Sequence, residues 1–366
     1  MTRSIWMGPW DLEGREADAV LDELQGIGLT AASLAMSYHG GRMLLPRHRS
    51  RLVYELHPGA AYFEPDGRHY EGLRLQPAVS PLAPLTLKFL DAAARRNFPV
   101  SAWTVLCHND FLGVQQPDCC IENVFGDRYT YALCPSHPDV QAYILALCAD
   151  IARIPGVACL DVEALSFMGY EHQSLHDKRG ITLDRESISM LSLCFCEHCR
   201  ANMGADAEAV RQGVRKAIQT GMVADGNAVI QARRRVLVAL LARLRHATKP
   251  APINLRISTD PEFHGGKTAL SFVDAAPFVD AATVTYFGAS FEHMAEQIKT
   301  LIPSDIPLHG GIVFHNPDCI SERDLLKRLA LLEGAAFAGT SFYSYSMAAK
   351  SQIEWLRNAL KGPRNL

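Results

Sequence analysis

The sequence lacks several features that would assign it to a class of protein at once. Residues 1–30 are interrupted by acidic side chains such as Asp11 and Glu13, so they hold no apolar core of about 7–15 residues, as a secretory leader would. The longest apolar runs, such as 236–242, end at an arginine well short of the length of a membrane span. We therefore expect no membrane as a partner.

An excess of positive charge is also missing. The formal net charge is −3 and the isoelectric point lies near 6.5, so no electrostatic reason exists to expect nucleic acid or an anionic membrane as a partner. The ten cysteines come without a visible export signal, which predicts that they are reduced. A cytoplasmic location is the simplest expectation.

Short β-rich runs alternate along the chain with segments that have helical spacing of apolar residues, which is typical of parallel βα units. The predicted strands are 3–8, 29–36, 98–107, 156–163, 252–258, 280–287, 307–314 and 339–345. The predicted helices lie near 14–27, 82–96, 137–153, 205–247, 268–277, 290–302, 321–336 and 347–360.

Eight alternations favour an α/β fold of the closed (β/α)8 TIM-barrel type over an open doubly wound sheet. An open sheet would more often carry a Gly-rich phosphate-binding turn after its first strand, whereas the turn here reads Gly-Pro-Trp-Asp over 8–11. We expect one barrel domain over residues 1–366, since no linker-like segment divides it. Its extra length lies in long insertions, most of which follow strand C-terminal ends, where barrel active sites form: 38–81, 108–136, 164–200 and 205–247.

Two carboxylates end the fourth predicted strand. Asp161 and Glu163 are two residues apart, so their side chains share one face of the strand. If that face is the barrel interior, both point toward the mouth of the pocket. We predict a catalytic role for both, with Glu163 the stronger candidate; the alternative for each is an ion pair with an arginine or a helix cap.

Two further carboxylates, Asp260 and Glu262, follow the fifth predicted strand. Cleavage of a glycosidic bond needs a proton donor and a second carboxylate, separated by about 5–5.5 Å for retention or about 6.5–9.5 Å for inversion. Neighbouring strands can supply such spacings, so both residues are catalytic candidates. Asp260 precedes Pro261, and the alternative for it is a turn-initiating role.

Polar and aromatic side chains occur at or near most strand ends. Together they predict a hydrogen-bonding pocket with aromatic walls, as a sugar or another polyol requires. A carbohydrate or glycoside is thus the expected partner. The candidate substrate-binding residues are Trp10, His39, Trp103, His108, Asn109, Arg256, Tyr286, His315 and Tyr343.

Three thiols lie within six residues, at Cys194, Cys196 and Cys199, and Cys134 precedes them. Four thiolates complete a closed tetrahedral zinc site, and clustered cysteines in an intracellular chain are more often metal ligands than oxidised pairs. These four residues are therefore predicted to bind a structural Zn²⁺. The alternative is a group of reduced thiols without metal.

Another metal-ligand pattern is His172 and His176, at helical spacing i, i+4. It lacks the glutamate that follows the first histidine in metalloprotease helices. A solvated loop is the preferred interpretation of this segment.

The order Cys134-Pro135, then Glu163 at a strand end, then Cys194-x-Cys-x-x-Cys resembles zinc-containing family 42 β-galactosidases over residues 128–200. The chain also resembles hypothetical glycosyl-hydrolase barrels with a similar cysteine cluster. The resemblance implies a TIM barrel, a structural zinc and Glu163 as general acid. The chain departs from that family at Val162, where the family has Asn, and over 311–316, where the family keeps its nucleophilic glutamate and this chain has no carboxylate.

The leading hypothesis is a glycoside hydrolase-like enzyme in which Glu163 protonates the leaving oxygen. The nucleophile or base would then be Asp161, Asp260 or Glu262. One alternative is a metal-dependent isomerase or lyase of sugars or sugar acids, with His39, His108 or His315 as the base. Another is a barrel that binds carbohydrate without turnover. The sequence leaves open both the sugar and assembly into a homo-oligomer.

Overall fold

The chain forms a closed barrel of eight parallel strands with helices between them. The architecture is taken from a computed structural model that describes residues 1–172, 178, 180–258, 270–285, 290–301 and 304–361. Its strands are β1 (Thr2–Met7), β2 (Ala31–Leu44), β3 (Val53–Ala61), β4 (Val100–Val105), β5 (Cys120–Glu122), β6 (Arg128–Leu133), β7 (Val157–Glu163), β8 (Ile253–Ser258), β9 (Ala281–Thr285), β10 (Leu308–Val313) and β11 (Gly339–Tyr343).

The α-helices surround this sheet or lie in the insertions. They are α1 (Ala17–Ile27), α2 (Ala83–Arg95), α3 (Asp110–Gln115), α4 (Pro138–Ile151), α5 (Arg185–Leu191), α6 (Glu197–Met203), α7 (Ala207–Thr220), α8 (Asn227–Thr248), α9 (Phe272–Ala275), α10 (Phe291–Leu301), α11 (Glu322–Gly334) and α12 (Lys350–Lys361).

Strands β1, β2, β4 and β7 to β11 form the barrel in chain order, and β1 closes the ring by pairing with both β2 and β11. At the closing seam Thr2 lies opposite Gly339, and a Cβ at Gly339 would lie 2.7 Å from the Thr2 carbonyl oxygen. A glycine is thus required for the last strand to approach the first. The predicted TIM barrel and its eight strands are confirmed.

The helical prediction over 205–247 needs correction, because the segment contains two helices, α7 and α8. The break follows Gly221, which ends α7 in the left-handed region at φ 67°. A residue with a Cβ rarely adopts this conformation, so the glycine stops the helix where apolar periodicity alone would continue it.

The insertions after β2 and β4 contain structure that the alternation of strands and helices did not predict. β2 extends beyond the barrel and pairs with β3 in an antiparallel hairpin, with Ser37 opposite Ala61. The segment after β4 contains α3 and a small antiparallel pair, β5 and β6. Both insertions leave from the C-terminal ends of barrel strands, so they build up the face where a barrel site forms.

A large apolar core fills the space between the barrel and its helices, with Leu34, Val162 and Phe342 among its fully buried residues. A smaller aromatic group lies at the C-terminal face around Trp6, Tyr38 and Trp103. Within the described ranges, no helix combines the length and the apolar character needed to cross a bilayer.

Candidate functional site

The centre of the site is a buried ion pair between neighbouring strands β7 and β8. Asp161 accepts hydrogen bonds from Arg256 Nε at 3.0 Å and from Asn254 Nδ2 at 2.8 Å. Arg256 Nη2 and the hydroxyl of Ser33 on β2 donate to its second oxygen. Asp161 is 3% exposed, and every contact is with another barrel strand. Its side chain therefore faces the interior, as the strand alternation predicted.

Arg256 connects this buried carboxylate to Glu163. Its Nη1 donates to Glu163 Oε2 at 2.8 Å, while its guanidinium carbon lies 4.0 Å and 4.5 Å from the ring centroids of Trp6 and Trp103. The two carboxylates compensate the charge of a side chain that two indole rings enclose. Arg256 was predicted to bind substrate, but in the structure its guanidinium group contacts Asp161, Glu163 and the two indole rings.

Glu163 is the carboxylate of this group that reaches solvent. Its side chain is 22% exposed, and it accepts hydrogen bonds from Arg256 and from the indole N–H of Trp103. The same charge helps to raise the pKa of Tyr343, although burial is the larger cause. Glu163 thus lies among β4, β7, β8 and β11, at the C-terminal end of the barrel.

Aromatic rings form a wall around Glu163. Trp6 packs against Trp103 at 6.1 Å and against Tyr343 at 5.2 Å between ring centroids. Tyr38 contacts Trp103 edge to face at 4.7 Å and shares a hydrogen bond with Tyr343. Of the two predicted residues in this wall, Tyr343 is half-buried and Trp103 is buried.

A second part of the mouth consists of stacked histidines. His39 stacks on His108 with 3.9 Å between centroids, and the ring of His172 shares a 2.8 Å hydrogen bond with His108. Asp110 lies 3.7 Å from His108 Nε2. Burial lowers the pKa of His39, which favours the neutral form of its ring. The predicted residues His39 and His108 therefore come together in one polar group.

His315 follows β10 and contributes an unpaired nitrogen. Its Nδ1 donates to the Asn316 carbonyl oxygen at 2.9 Å, whereas its Nε2 is buried and has no hydrogen-bond partner among the described residues. Burial lowers the pKa of this histidine as well. Because its ring centroid lies 6.2 Å from that of Tyr343, His315 borders the same mouth.

Some predicted residues do not reach this mouth as free groups. Trp10 is 1% exposed, and its indole N–H donates to Ser346 Oγ at 2.9 Å. Asn109 caps α3 by accepting a hydrogen bond from the Leu112 amide at 2.9 Å. Three further predicted residues and one histidine of the i, i+4 pattern lie outside the described ranges: Asp260, Glu262, Tyr286 and His176.

Trp6 and Tyr38 complete the aromatic wall, which the aromatic side chains at or near strand ends predicted. Sequence reasoning missed two residues of the site, Ser33 and Asn254, which bind Asp161. The signal for Asn254 was the strand alternation itself, because Asn254 and Arg256 are two residues apart on β8. A polar side chain that repeats with period two on a buried strand indicates an interior network.

The four predicted metal ligands come together at the edge of the barrel. The Cys134 sulfur lies 3.8, 3.7 and 3.5 Å from those of Cys194, Cys196 and Cys199. A tetrahedral site with Zn–S bonds of about 2.3 Å requires sulfur–sulfur distances of about 3.8 Å. All four residues are buried, and the Glu122 amide donates to Cys194 Sγ at 3.4 Å. The residues therefore fit a Zn²⁺ ion in number, chemistry and spacing.

The thiols influence one another strongly in this cluster. Hydrogen bonds with its three neighbours lower the pKa of Cys196, whereas burial raises those of Cys134 and Cys194. A thiolate is the form that binds metal.

One other group of metal-binding side chains occurs in the described part of the chain, at Asp118, Cys119 and His137. Arg74 binds both carboxylate oxygens of Asp118, at 2.6 and 2.7 Å, which accounts for that residue as an ion pair. Among the described residues, the barrel mouth has no group of three carboxylate or imidazole ligands. The metal-dependent alternative gains no support from them.

Comparison with known proteins gives similarity in structure and not in sequence. No family model matches the chain, and no curated protein matches it. The chain is similar to the glycoside hydrolase domain of PgaB (BpsB) from Bordetella bronchiseptica, with a TM-score of 0.63, 13% identity, and coverage of 98% of this chain and 99% of that one.

Two larger enzymes are similar over the barrel. An α-L-fucosidase, isoenzyme 2, from Paenibacillus thiaminolyticus has a TM-score of 0.61 at 10% identity, and a β-galactosidase from the psychrophilic Marinomonas ef1 has 0.58 at 10%. Each alignment covers 98% of this chain but only 49% and 59% of the respective enzyme. At these identities the likeness shows the fold: a (β/α)8 barrel of the kind found in these glycoside hydrolases.

Proposed function

We propose that the protein is a glycoside hydrolase-like enzyme in which Glu163 is the carboxylate that acts on the sugar. The observation that carries the proposal is the position of Glu163, a partly exposed carboxylate at a strand C-terminal end, within an aromatic wall. Aromatic faces suit the apolar faces of pyranose rings, and neighbouring hydroxyls suit the polar edge of such a ring. The names of the similar structures support the same class of substrate.

The contacts of Glu163 favour an anionic role. A guanidinium at 2.8 Å and an indole N–H both stabilise the charged carboxylate, and neither can accept a proton from it. An anion at this point can attack the anomeric carbon or stabilise an oxocarbenium-like transition state. This differs from the proton-donor role that the family resemblance implied. Asp260 and Glu262, which follow β8, stay the candidates for the proton donor on sequence alone.

Asp161 acts as a positioning residue in this proposal. Its oxygens are occupied by Arg256, Asn254 and Ser33, so no lone pair is left for a substrate. Its negative charge instead fixes Arg256, which in turn orients Glu163. Two residues are the proposed hydrogen-bonding partners of the sugar hydroxyls. They are His315, whose buried Nε2 has no partner among the residues that the structure describes, and Tyr343, whose phenol is neutral.

The test is hydrolysis of a panel of aryl glycosides that differ in sugar and in leaving group. Glu163→Gln is expected to reduce turnover by about 10²- to 10⁴-fold. If Glu163 is the anion, the loss occurs with both p-nitrophenyl and 2,4-dinitrophenyl glycosides. If it is the proton donor, the 2,4-dinitrophenyl substrate keeps its rate, because that leaving group needs no protonation.

The matched control is Glu55→Gln, which neutralises an exposed glutamate of the β2–β3 hairpin. It should leave turnover unchanged. Full activity of Glu163→Gln would refute the assignment of this residue. Binding of sugars without turnover of any panel member would instead favour the non-catalytic barrel.

We further propose that Cys134, Cys194, Cys196 and Cys199 hold a structural Zn²⁺. The support is the fit of the four sulfurs to a closed tetrahedral site, with no ligand position left for water. When bound, the ion would connect the segment after β6 to the start of α6. Such an ion supplies folding free energy and takes no part in the chemistry at Glu163.

A further inference from the structure

A cationic groove lies beside the barrel mouth, and the proposed reaction does not use it. The groove has a volume of about 320 Å³ and is lined by residues of α1, α12 and the β2–β3 connection and by Arg15, which precedes α1. Five cationic side chains line it, against two carboxylates, Glu23 and Glu354. The five are Arg15, Arg47, Arg49, Lys350 and Arg357. This excess of positive charge stands out in a chain with a net charge of −3.

The inner cations of the groove are fixed in place. Arg47 lies over the ring of Tyr345, with 4.1 Å between guanidinium carbon and centroid, and donates to the backbone carbonyls of Tyr345 and Ala348 at 2.6 and 2.9 Å. Arg15 donates to the Tyr345 hydroxyl at 2.6 Å. Both arginines share one carboxylate, Glu23, at 2.5 and 3.1 Å. Asp11 is a further carboxyl group beside both arginines, so the two guanidinium groups are rigidly held and their charges are largely compensated.

The outer cations are free to meet a ligand. Arg49 donates to the Gly14 carbonyl oxygen at 2.6 Å, and neither Arg49 nor Lys350 has a carboxylate partner in the part of the chain that the structure describes. Both side chains are exposed. Lys350 is also the first residue of α12, where the positive end of the helix dipole disfavours a cation. A lysine at this end of a helix is unfavourable by itself, and an anionic ligand would compensate its charge.

The groove belongs to the same face as Glu163. Arg15 follows β1, Arg47 and Arg49 lie in the β2–β3 connection, and Lys350 follows β11, so all stand at C-terminal ends of barrel strands. A smaller cavity shares Arg15, Arg47 and Arg49 with the groove, and its lining also includes the carboxylates Asp11 and Glu13 and the hydroxyl of Ser346. Ser346 in turn accepts the indole N–H of Trp10, which packs on Tyr38 of the aromatic wall at 5.4 Å.

We infer that this groove binds the anionic groups of an acidic oligosaccharide, whose neighbouring residues would extend toward the barrel mouth. Guanidinium groups bind carboxylates and sulfates through paired hydrogen bonds, and ammonium groups bind them as point charges. The exposed Arg49 and Lys350 are the cations of the groove that can make such contacts with a ligand. The inference rests on the proposed function for the carbohydrate part of the ligand. The negative charge of the ligand is inferred from the cations of the groove and does not depend on the proposed function.

The experiment is calorimetric titration of the full chain with three oligosaccharides of equal length: an oligogalacturonate, a sulfated galactan and a neutral galactan. The carboxylated or the sulfated ligand should bind, and the neutral one should bind more weakly. Affinity should fall with added salt, because the groove is open to solvent. The stronger of the two acidic ligands identifies which anionic group the groove prefers.

The decisive variant is Arg49→Glu with Lys350→Glu, which reverses the two outer charges and leaves Arg15 and Arg47 in place. It should bind the acidic ligand about tenfold more weakly or worse. It should not lower stability, since a carboxylate in the first turn of α12 interacts favourably with the helix dipole. Arg49→Lys with Lys350→Arg is the conservative control and should retain binding.

Equal binding of acidic and neutral ligands, or unchanged affinity in the reversed variant, would overturn the inference. Binding is measured without turnover, so this result is independent of the outcome at Glu163. If the enzyme hydrolyses neutral glycosides but does not bind acidic ones, the proposed function stands and the inference about the groove is wrong.

Discussion

Asp161 compensates a guanidinium that has almost no access to solvent. The side chains of Arg256 and Asp161 are 3% and 4% exposed, and Glu163 supplies the second negative charge from the solvent side. Removal of one partner from a buried ion pair leaves the other charge desolvated. Asp161, one of the two residues on β7 predicted to be catalytic, therefore supports Arg256 and through it Glu163.

Asp161→Asn should lower the free energy of unfolding by about 3 kcal/mol, because the amide keeps the shape of the side chain and removes the charge that faces Arg256. Urea denaturation measures the loss. Ser33→Ala, which removes one neutral hydroxyl donor from the same carboxylate, should cost about 1 kcal/mol. If Asp161→Asn lowers the free energy of unfolding by less than Ser33→Ala does, the ion pair contributes little to stability.

Asp11 gives a prediction about pH. Burial raises its pKa to about 6, while hydrogen bonds from Ser346 Oγ at 2.6 Å and from the Gly8 amide act in the opposite direction. The folded state thus binds this proton more tightly than the unfolded chain does. Stability should fall as the pH rises from about 4 to about 6, and the whole penalty should be present above pH 6.

Asp11→Asn should therefore be more stable than the unmodified protein by about 1–3 kcal/mol at pH 8, and the two should be equal near pH 3.5. Asparagine still offers an oxygen to Ser346 and Gly8. Unfolding measured across pH 3.5–8 separates this effect from general charge effects when the exposed Asp305→Asn serves as the comparison. A difference that does not vary with pH would contradict the assignment to Asp11.

At the scale of elements, the regular alternation of strands and helices could be predicted from the sequence. All eight barrel strands were predicted because buried parallel strands read as short apolar runs between amphipathic helices. The β2–β3 hairpin was missed, because β2 continues without a break from barrel to hairpin and its exposed half carries Gly40 and Gly41. A strand that pairs outside the repeated βα units, as β3 does, produces no periodic pattern in the sequence.

The site was predictable to the same extent. Asp161 and Glu163 were found from their place at the end of β7, but the sequence could not tell which of them faced solvent. That distinction depends on Arg256 and on two indole rings from other strands. Long-range contacts of this kind are set by barrel geometry and leave no trace in local spacing. The proximity of the four cysteines was easier to predict, because the zinc site that we propose needs four ligands of one chemistry at characteristic spacing.

The cysteine cluster joins the segment after β6 to the start of α6. Cys196→Ser should remove the proposed ion, so elemental analysis should fall from one zinc per chain to near zero, and the unfolding free energy should drop by several kcal/mol. Cys159→Ser is the matched control, since Cys159 is a half-buried thiol on β7 outside the cluster. Protein purified without chelator that carries no zinc, and a stable Cys196→Ser variant, would contradict the proposal.

At the scale of the whole molecule, the chain contains a hydrogen-bonded ring with a smaller packed unit beside it. Residues of α5, α7 and the start of α8 form their own apolar cluster around Met190, Val214 and Val229, separate from the barrel core. The cysteines lie between the two, and their sulfurs belong to the barrel core side. The ring closes through β1, so its strands can open only together, whereas the smaller unit can loosen alone.

Removal of the proposed zinc ion should therefore affect the parts of the molecule unequally. In hydrogen exchange after treatment with a chelator, the amides of α6 and α7 should exchange faster by at least about tenfold, while β1 and β11 keep their protection until global unfolding. Cys196→Ser should give the same pattern without chelator, which rules out an effect of the reagent. Uniform loss of protection would mean that the ion supports the barrel itself, and unchanged exchange everywhere would mean that the four thiols stabilise this edge without metal.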